Sequence, residues 1–274
     1  MITSTSNSRI KRLVQLQEKS RLREKENVFI AEGMKMFEEA PMERIKEIYI
    51  EDSGGRGAAD KLKTCEKKGI PVELVSAEVF KKISDTKSPQ GILCVMERYS
   101  YSGQLIIEKA LGRQRKENRR PLFLFLEDIQ NPGNLGTMLR TAEGAGADGV
   151  FMTRETVDIY NPKTIRATMG SLYRVPFYYT GDIRESIRTL QKNNIRVYAA
   201  HLKGKQYYDE ISYDTGTAFL IGNEGNGLKK ETADMADCYL KIPMAGKLES
   251  LNAAVAAALL MYQAGGQSRR QDES

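Results

Sequence analysis

The carboxyl-terminal half of the chain is built from near-continuous apolar runs at residues 122–126, 149–153, 197–200, 218–221 and 239–244. Such runs suit strands buried on both faces, because a strand with one wet face alternates polar and apolar residues instead. Between them lie helical patterns at 135–145, 182–193, 228–235 and 249–263. Strands and helices in alternation predict an α/β fold whose mostly parallel sheet is covered on both sides. Sheets of this kind hold ligands beyond the carboxyl ends of their strands. Three glycine-rich or polar loops occupy that position, after Leu126, Ile221 and Met244.

The preceding half reads differently. Residues 8–26 carry Ile10, Leu13, Val14, Leu16 and Leu22 at helical spacing in a charged background, and Val28, Phe29 and Ile30 follow as a short strand. Helix patterns at 33–40, 58–68 and 77–83 then interleave with strand patterns at 45–50, 71–75 and 91–97, which predicts a small α/β layer domain. Residues 100–120 lose strand signals and gain charge, as a partly helical linker would. The expected division is therefore an amino-terminal domain at 1–105, a linker at 106–120 and a second domain at 121–274.

The charge balance suggests a polyanionic partner. Lys and Arg outnumber Asp and Glu by 42 to 36, and the excess is local. One cluster spans Arg9, Lys11, Arg12, Lys19, Arg21, Arg23 and Lys25, and a second spans Arg113, Arg115, Lys116, Arg119 and Arg120. Basic clusters attract polyanions, although a run taken alone also suits a solvated helix face. Cys65, Cys94 and Cys238 are odd in number and lack metal-ligand spacing, so neither a disulfide framework nor a zinc site is expected. The longest apolar stretch, 253–262, is shorter than the roughly 18 residues of a membrane span, and the polar start lacks a signal-peptide core. A cytoplasmic protein without metal is expected.

The loops carry the chemistry. In the first, Asn131-Pro132-Gly133-Asn134-Leu135-Gly136, Asn134 is a candidate N-cap. The helix after it places Leu135, Met138, Leu139 and Ala142 on a core face and leaves Arg140 off that stripe, where it can reach the cleft or lie on the surface. In the second, Gly222-Asn223-Glu224-Gly225-Asn226-Gly227, the glycines allow close main-chain approach around one charged residue, Glu224. It is neither a dinucleotide fingerprint nor a phosphate-binding P-loop. In the third, Glu249-Ser250-Leu251-Asn252 opens a helix of small residues, and Ser250 and Asn252 serve equally well as caps.

Together these segments resemble, in order, the three motifs of the SpoU (TrmH-like) branch of the SPOUT methyltransferases. The resemblance spans about 121–264 and includes Asn134 and Arg140, the run 222–227, and Ile242-Pro243 followed by Ser250-Leu251-Asn252. Asn131 stands where Asp is frequent in the family, and Ala253-Ala254 where Val-Ser is usual. Residues 29–97, ending in Ser88-Pro89-Gln90-Gly91-Ile92, resemble the RNA substrate-binding domain that often precedes the catalytic one.

The resemblance implies S-adenosyl-L-methionine-dependent 2′-O-methylation of ribose in RNA, by a homodimer whose carboxyl-terminal part forms a trefoil knot. It implies that Gly222, Ile242 and Leu251 surround the cofactor and that Arg140, Asn134, Glu224, Ser250 and Asn252 form the catalytic set, with Glu224 fixing Arg140 or the substrate. Arg9, Lys11, Arg12, Arg21 and Arg23 become candidate RNA contacts. The extra domain favours ribosomal RNA, with transfer RNA as the alternative. A catalytically silent RNA-binding assembly factor would not need the intact site residues, and a nicotinamide-dependent dehydrogenase would need a fingerprint that the chain lacks. His201, the single histidine, reads as a polar strand-end residue rather than a general base. A fragment starting near Arg120 is expected to hold the cofactor by itself and to lose much of the RNA binding.

Overall fold

The computed structural model describes residues 1–272 except Ser53, Gly55, Arg56 and Ala58. It divides into two compact units, Met1–Tyr99 with Asp158–Tyr173, and Ser100–Val157 with Arg174–Ser274.

The first unit contains α1 (Ser8–Glu18), α2 (Ser20–Glu26), β1 (Val28–Glu32), α3 (Met34–Glu39), β2 (Ile45–Glu51), α4 (Ala59–Lys67), β3 (Val72–Val75), α5 (Ala77–Ile83) and β4 (Ile92–Glu97). Its sheet runs β1-β4-β2-β3, with β4 antiparallel to both neighbours and β2 parallel to β3. The helix expected at 8–26 breaks in two because Lys19 is extended. Ile10, Leu13 and Leu16 of α1 join Val79, Phe80 and Ile83 of α5 over the sheet. Of the helix expected at 58–68, Ala58 lies outside the described residues.

Asp158–Tyr173 belongs to this unit although it lies within the second half of the sequence. It carries the helix Pro162–Thr168, α8 in chain order. Arg23, 3% exposed, donates to the carbonyls of Leu16 and Gln17 and to the Asp158 carboxylate at 2.6 Å. The Phe29 and Tyr160 rings lie 4.9 Å apart, and the Tyr173 hydroxyl donates to the Met36 carbonyl at 3.0 Å. Arg23 is thus a buried structural cation and not an RNA contact. A guanidinium desolvated in this way must keep its partners, since an unpaired buried charge is strongly destabilising.

The second unit holds a seven-stranded sheet of β5 (Leu122–Leu126), β6 (Gly149–Met152), β7 (Phe177–Tyr179), β8 (Ile195–Ala200), β9 (Gln206–Tyr207), β10 (Gly216–Ile221) and β11 (Cys238–Lys241). Their order is β7-β6-β5-β10-β8-β11-β9 and every pairing is parallel. The unit's helices are α6 (Gly103–Glu117), α7 (Pro132–Ala145), α9 (Ile183–Lys192), α10 (Lys230–Ala233) and α11 (Ala253–Asp272). Phe123, Phe125, Phe151, Val197 and Leu220 on one face of the sheet pack with Ile106 and Ile107 of α6 and Ile187 and Leu190 of α9. On the other face α7 and α11 pack against each other and against β5, β6 and β10. No helix among the described residues is long and apolar enough to cross a membrane.

The stretch read as a linker at 106–120 is mostly α6, with Ile106, Ile107 and Ala110 buried in the core of the second unit. Its charged residues lie on the outer face, and this masks a short apolar stripe. The fragment expectation changes with it. A fragment starting near Arg120 loses two buried isoleucines, each worth about 1.5–3 kcal/mol, out of a typical total of about 5–15 kcal/mol. Thermal unfolding of fragments 100–274 and 121–274 is expected to give the shorter one a midpoint lower by about 6–24 °C, as about 3–6 kcal/mol implies at about 2–4 °C per kcal/mol. Equal midpoints would show that α6 is dispensable.

Candidate functional site

A cavity of about 350 Å³ opens where β8, β10 and β11 end, walled by the loops after β10 and β11. Gly222 brings the main chain of its loop together. A Cβ built there would lie 2.1 Å from the Gly227 carbonyl carbon and the Leu228 nitrogen, so no larger residue fits. Asn223 and Gly227 exchange main-chain hydrogen bonds at 3.1 and 2.9 Å. The Asn223 side chain accepts from Gly225 N–H at 2.9 Å and Asn226 N–H at 3.1 Å, and donates to the Asp128 carbonyl at 2.8 Å. The loop is a closed turn fastened to the end of β5.

The first loop begins one turn earlier than expected. Asn131, not Asn134, caps α7, accepting from Gly133 and Asn134 N–H, because Pro132 suits the first helical position. This frees the Asn134 side chain for longer-range bonds. Its amide donates to Glu224 Oε1 at 2.9 Å, and its Oδ1 accepts from Asn252 Nδ2 at 3.1 Å. Asn252 Oδ1 in turn accepts from Ala254 N–H at 2.8 Å and caps α11, which starts at Ala253 rather than at 249. The direction of this chain is self-consistent. An ionised carboxylate only accepts, so Asn134 turns its NH₂ to Glu224 and its oxygen to Asn252, whose own oxygen meets the helix N–H groups.

Glu224 also accepts from the main-chain N–H groups of Asn131 at 3.1 Å and Gln130 at 3.2 Å. Partial burial pushes its carboxyl up, but the bonds from Asn134 and the main chain outweigh burial and hold its pKa below the usual carboxylate value. A depressed pKa means that this clamp is complete at neutral pH and is lost only as acid protonates the group. Glu224 therefore fixes the first loop, and its partner is Asn134 rather than Arg140.

Arg140 lies on α7 eight residues beyond Pro132, about 12 Å along the axis. It is exposed, stands outside the cavity wall, and makes no hydrogen bond or ion pair among the described residues. Of the two positions open to it, reaching the cleft or lying on the surface, Arg140 takes the surface one within this single chain. Gly222, Ile242, Leu251, Glu224 and Ser250 do line the cavity, Ser250 with an exposed hydroxyl.

Two supporting residues were missed. Glu127, 2% exposed at the end of β5, accepts from Lys229 N–H at 2.7 Å and from the Thr232 hydroxyl, and so anchors the start of α10. Asp128, with φ +56°, pairs with Lys229 Nζ at 2.7 Å and accepts from the Thr153 hydroxyl at 2.8 Å. Acids directly after an apolar strand were the available signal.

His201 lines the cavity, with its ring 4.9 Å from Tyr239 and its Nδ1 accepting from Lys203 N–H at 3.0 Å. One ring nitrogen is spent on the turn. His201→Ala is expected to keep at least about a third of wild-type methyl transfer, because general acid–base groups account for about a hundredfold or more. A folded, cofactor-binding variant without activity would make His201 a proton acceptor.

The basic residues of the first unit divide. Lys11 and Arg21 are exposed. Arg9 is exposed but pairs with Glu73, and Arg12 is held between Glu26 at 2.7 Å and Glu47 at 2.9 Å. Among the described residues no group of His, Cys, Asp and Glu is arranged to hold a metal ion.

Residues 121–262 match the model of the SpoU rRNA Methylase family, and residues 7–94 match the MRM3-like substrate binding domain. The chain is 32% identical over 267 residues to the 23S rRNA (guanosine(2553)-2′-O)-methyltransferase RlmP of Bacillus subtilis, covering 97% of this chain and 99% of that protein. It superposes with a TM-score of 0.81 on the AdoMet-bound rRNA methyltransferase from Sinorhizobium meliloti, at 28% identity and over 98% of this chain and 97% of the other. The AdoMet complex of the SpoU methyltransferase AviRb from Streptomyces viridochromogenes shares the fold, with a TM-score of 0.81 at 22% identity over 95% and 98% of the two chains.

Proposed function

Because this chain belongs to the SpoU rRNA Methylase family, we propose that it methylates a ribose 2′-hydroxyl of ribosomal RNA in the cytoplasm, with S-adenosyl-L-methionine as donor. The donor supplies an electrophilic methyl group on a sulfonium. The ribose oxygen forms the new C–O bond as the C–S bond breaks, and the hydroxyl proton leaves to solvent. The cavity fits such a donor: its volume of about 350 Å³ lies in the usual range for small-molecule sites, and Gly222, Ile242 and Leu251 offer bare main chain and apolar walls. The observation that carries this reading is the hydrogen-bond chain from Asn252 through Asn134 to Glu224, which joins all three loops at the cavity.

The protein's task is to align the reactants and stabilise the oxygen as its proton is lost. A guanidinium stays protonated, so Arg140 stabilises the developing alkoxide and holds the adjacent phosphate. Since Arg140 lies outside its own cavity, it serves the site of a second copy, in a homodimer formed through α7 and α11. Val255 and Tyr262, 48% and 50% exposed on α11, supply apolar surface for that contact. The carboxyl-terminal trefoil knot belongs to the same proposal. Lys11 and Arg21 of the first unit contribute RNA contacts.

Transfer of radiolabelled methyl groups to total RNA tests the reading. Label in ribosomal RNA that survives alkali as a 2′-O-methylated dinucleotide is the expected result, and label in transfer RNA would select the alternative substrate. No transfer at all would leave an RNA-binding protein without catalysis.

A further inference from the structure

The first unit holds a second cavity, of about 240 Å³, walled by the turn at Gly33, the loop after α5 and the end of α8. Two cations stand in its wall, Lys35 from α3 and Arg166 from α8. Lys35 lies 3.5 Å from Glu39 and Arg166 pairs with Asp85, all partly exposed, so both pairs are weak and can be exchanged for a phosphate. Glu32 is the one carboxylate in the wall. It is 8% exposed, and its oxygens are taken up by the hydroxyls of Ser84 and Thr86 and by Asp85 N–H. The acid therefore holds the loop in place, and the two cations outnumber it in the wall.

Two further side chains in the wall, Gln90 and Ser88, can donate to a ligand. Gln90 Oε1 accepts from Met34 N–H at 2.7 Å, which leaves its NH₂ for a ligand, and the Ser88 hydroxyl is exposed beside it. The exposed apolar element is Met169, 39% exposed and held at φ +51°, with the buried Met36 also in the wall. A polarizable thioether suits the face of an aromatic ring.

We propose that this cavity binds one unpaired nucleotide of the RNA substrate. Lys35 and Arg166 take its phosphate, Gln90 and Ser88 the acceptor edge of its base, and Met169 one face of the ring. Unstacked bases are the usual target of sequence-specific RNA recognition, and phosphate contacts set their register. The inference rests on the RNA-methylation reading above and adds a specificity site to it.

The test uses the full chain and unmodified 23S rRNA transcribed in vitro. Gln90→Glu keeps an acceptor for Met34 N–H while removing the donor, and Lys35→Gln removes a cation while keeping a flexible polar side chain. The double variant is expected to bind the transcript at least tenfold more weakly, with a salt slope smaller by about 0.7 for the lost cation. It is also expected to raise KM for RNA while retaining kcat and to bind S-adenosylmethionine within twofold of wild type. A matched loss of charge on α5, Lys81→Gln with Lys82→Gln, is expected to change affinity much less. Unchanged affinity and KM in the double variant, or an equal loss in the α5 variant, would overturn the nucleotide site alone. A wild type that binds S-adenosylmethionine but neither binds nor methylates RNA would overturn the reading beneath it.

Discussion

Arg140→Ala is expected to reduce methyl transfer at least a hundredfold, the usual loss when one preorganised electrostatic contact to a developing oxyanion is removed. Affinity for S-adenosylmethionine should stay within a few-fold, because Arg140 does not line the cavity. Calorimetric titration and single-turnover rates separate the two quantities. In the homodimer proposed above, mixed dimers read where the arginine acts. Arg140→Ala and Asn134→Ala are each expected to be inactive, yet a heterodimer would hold one site with its own Asn134 and the partner's arginine. Equal mixing, with half the dimers mixed and one working site of two in each, should restore about a quarter of wild-type activity. Mixtures no better than the parents would place Arg140 in the site of its own chain, and a variant above about a tenth of wild type would remove it from the reaction.

Gly222→Ala is expected to weaken S-adenosylmethionine binding a hundredfold or more, equivalent to about 2.7 kcal/mol. The added methyl would meet main-chain atoms of Gly227 and Leu228 at 2.1 Å, which no side-chain rotation can relieve. The turn must open, and the bonds from Asn223 that close it go with it. Gly225→Ala is the matched comparison, since a Cβ there would lie 3.5 Å from Asn223 Oδ1, an ordinary contact, and affinity should stay within a few-fold. Equal losses in both variants would show that general loosening of the loop, and not the close approach at Gly222, controls the cavity.

Much of this architecture is legible in the sequence. The apolar run at Leu122–Leu126 and its counterparts are parallel strands, as runs too short for a buried helix and flanked by turn residues suggest. The loops after β5, β10 and β11 fall where such a sheet places its ligand, and two of them wall the cavity. The very short strands β7 and β9 were missed, since three residues or fewer carry no measurable period. Helix α6 was read only as a partly helical linker because its polar face outweighs the apolar stripe of Ile106, Ile107 and Ala110.

Local pattern thus determined the class of fold, the order of its elements and the identity of the site-bearing loops, since periodicity and turn chemistry act between near neighbours. Tertiary structure alone decided the partners. Arg23 and Asp158 are 135 residues apart, Asn134 and Asn252 118 apart, and Glu224 lies 90 from Asn134. Nothing near Arg23 in the sequence distinguishes a buried cation from a solvated one. Only the packing of Asp158–Tyr173 into the first unit spends that charge internally, and only the fold leaves Arg140 exposed and out of the cavity wall. Charge written in a sequence has no direction, and a side chain's partner is chosen by whichever distant segment the fold brings within hydrogen-bond reach.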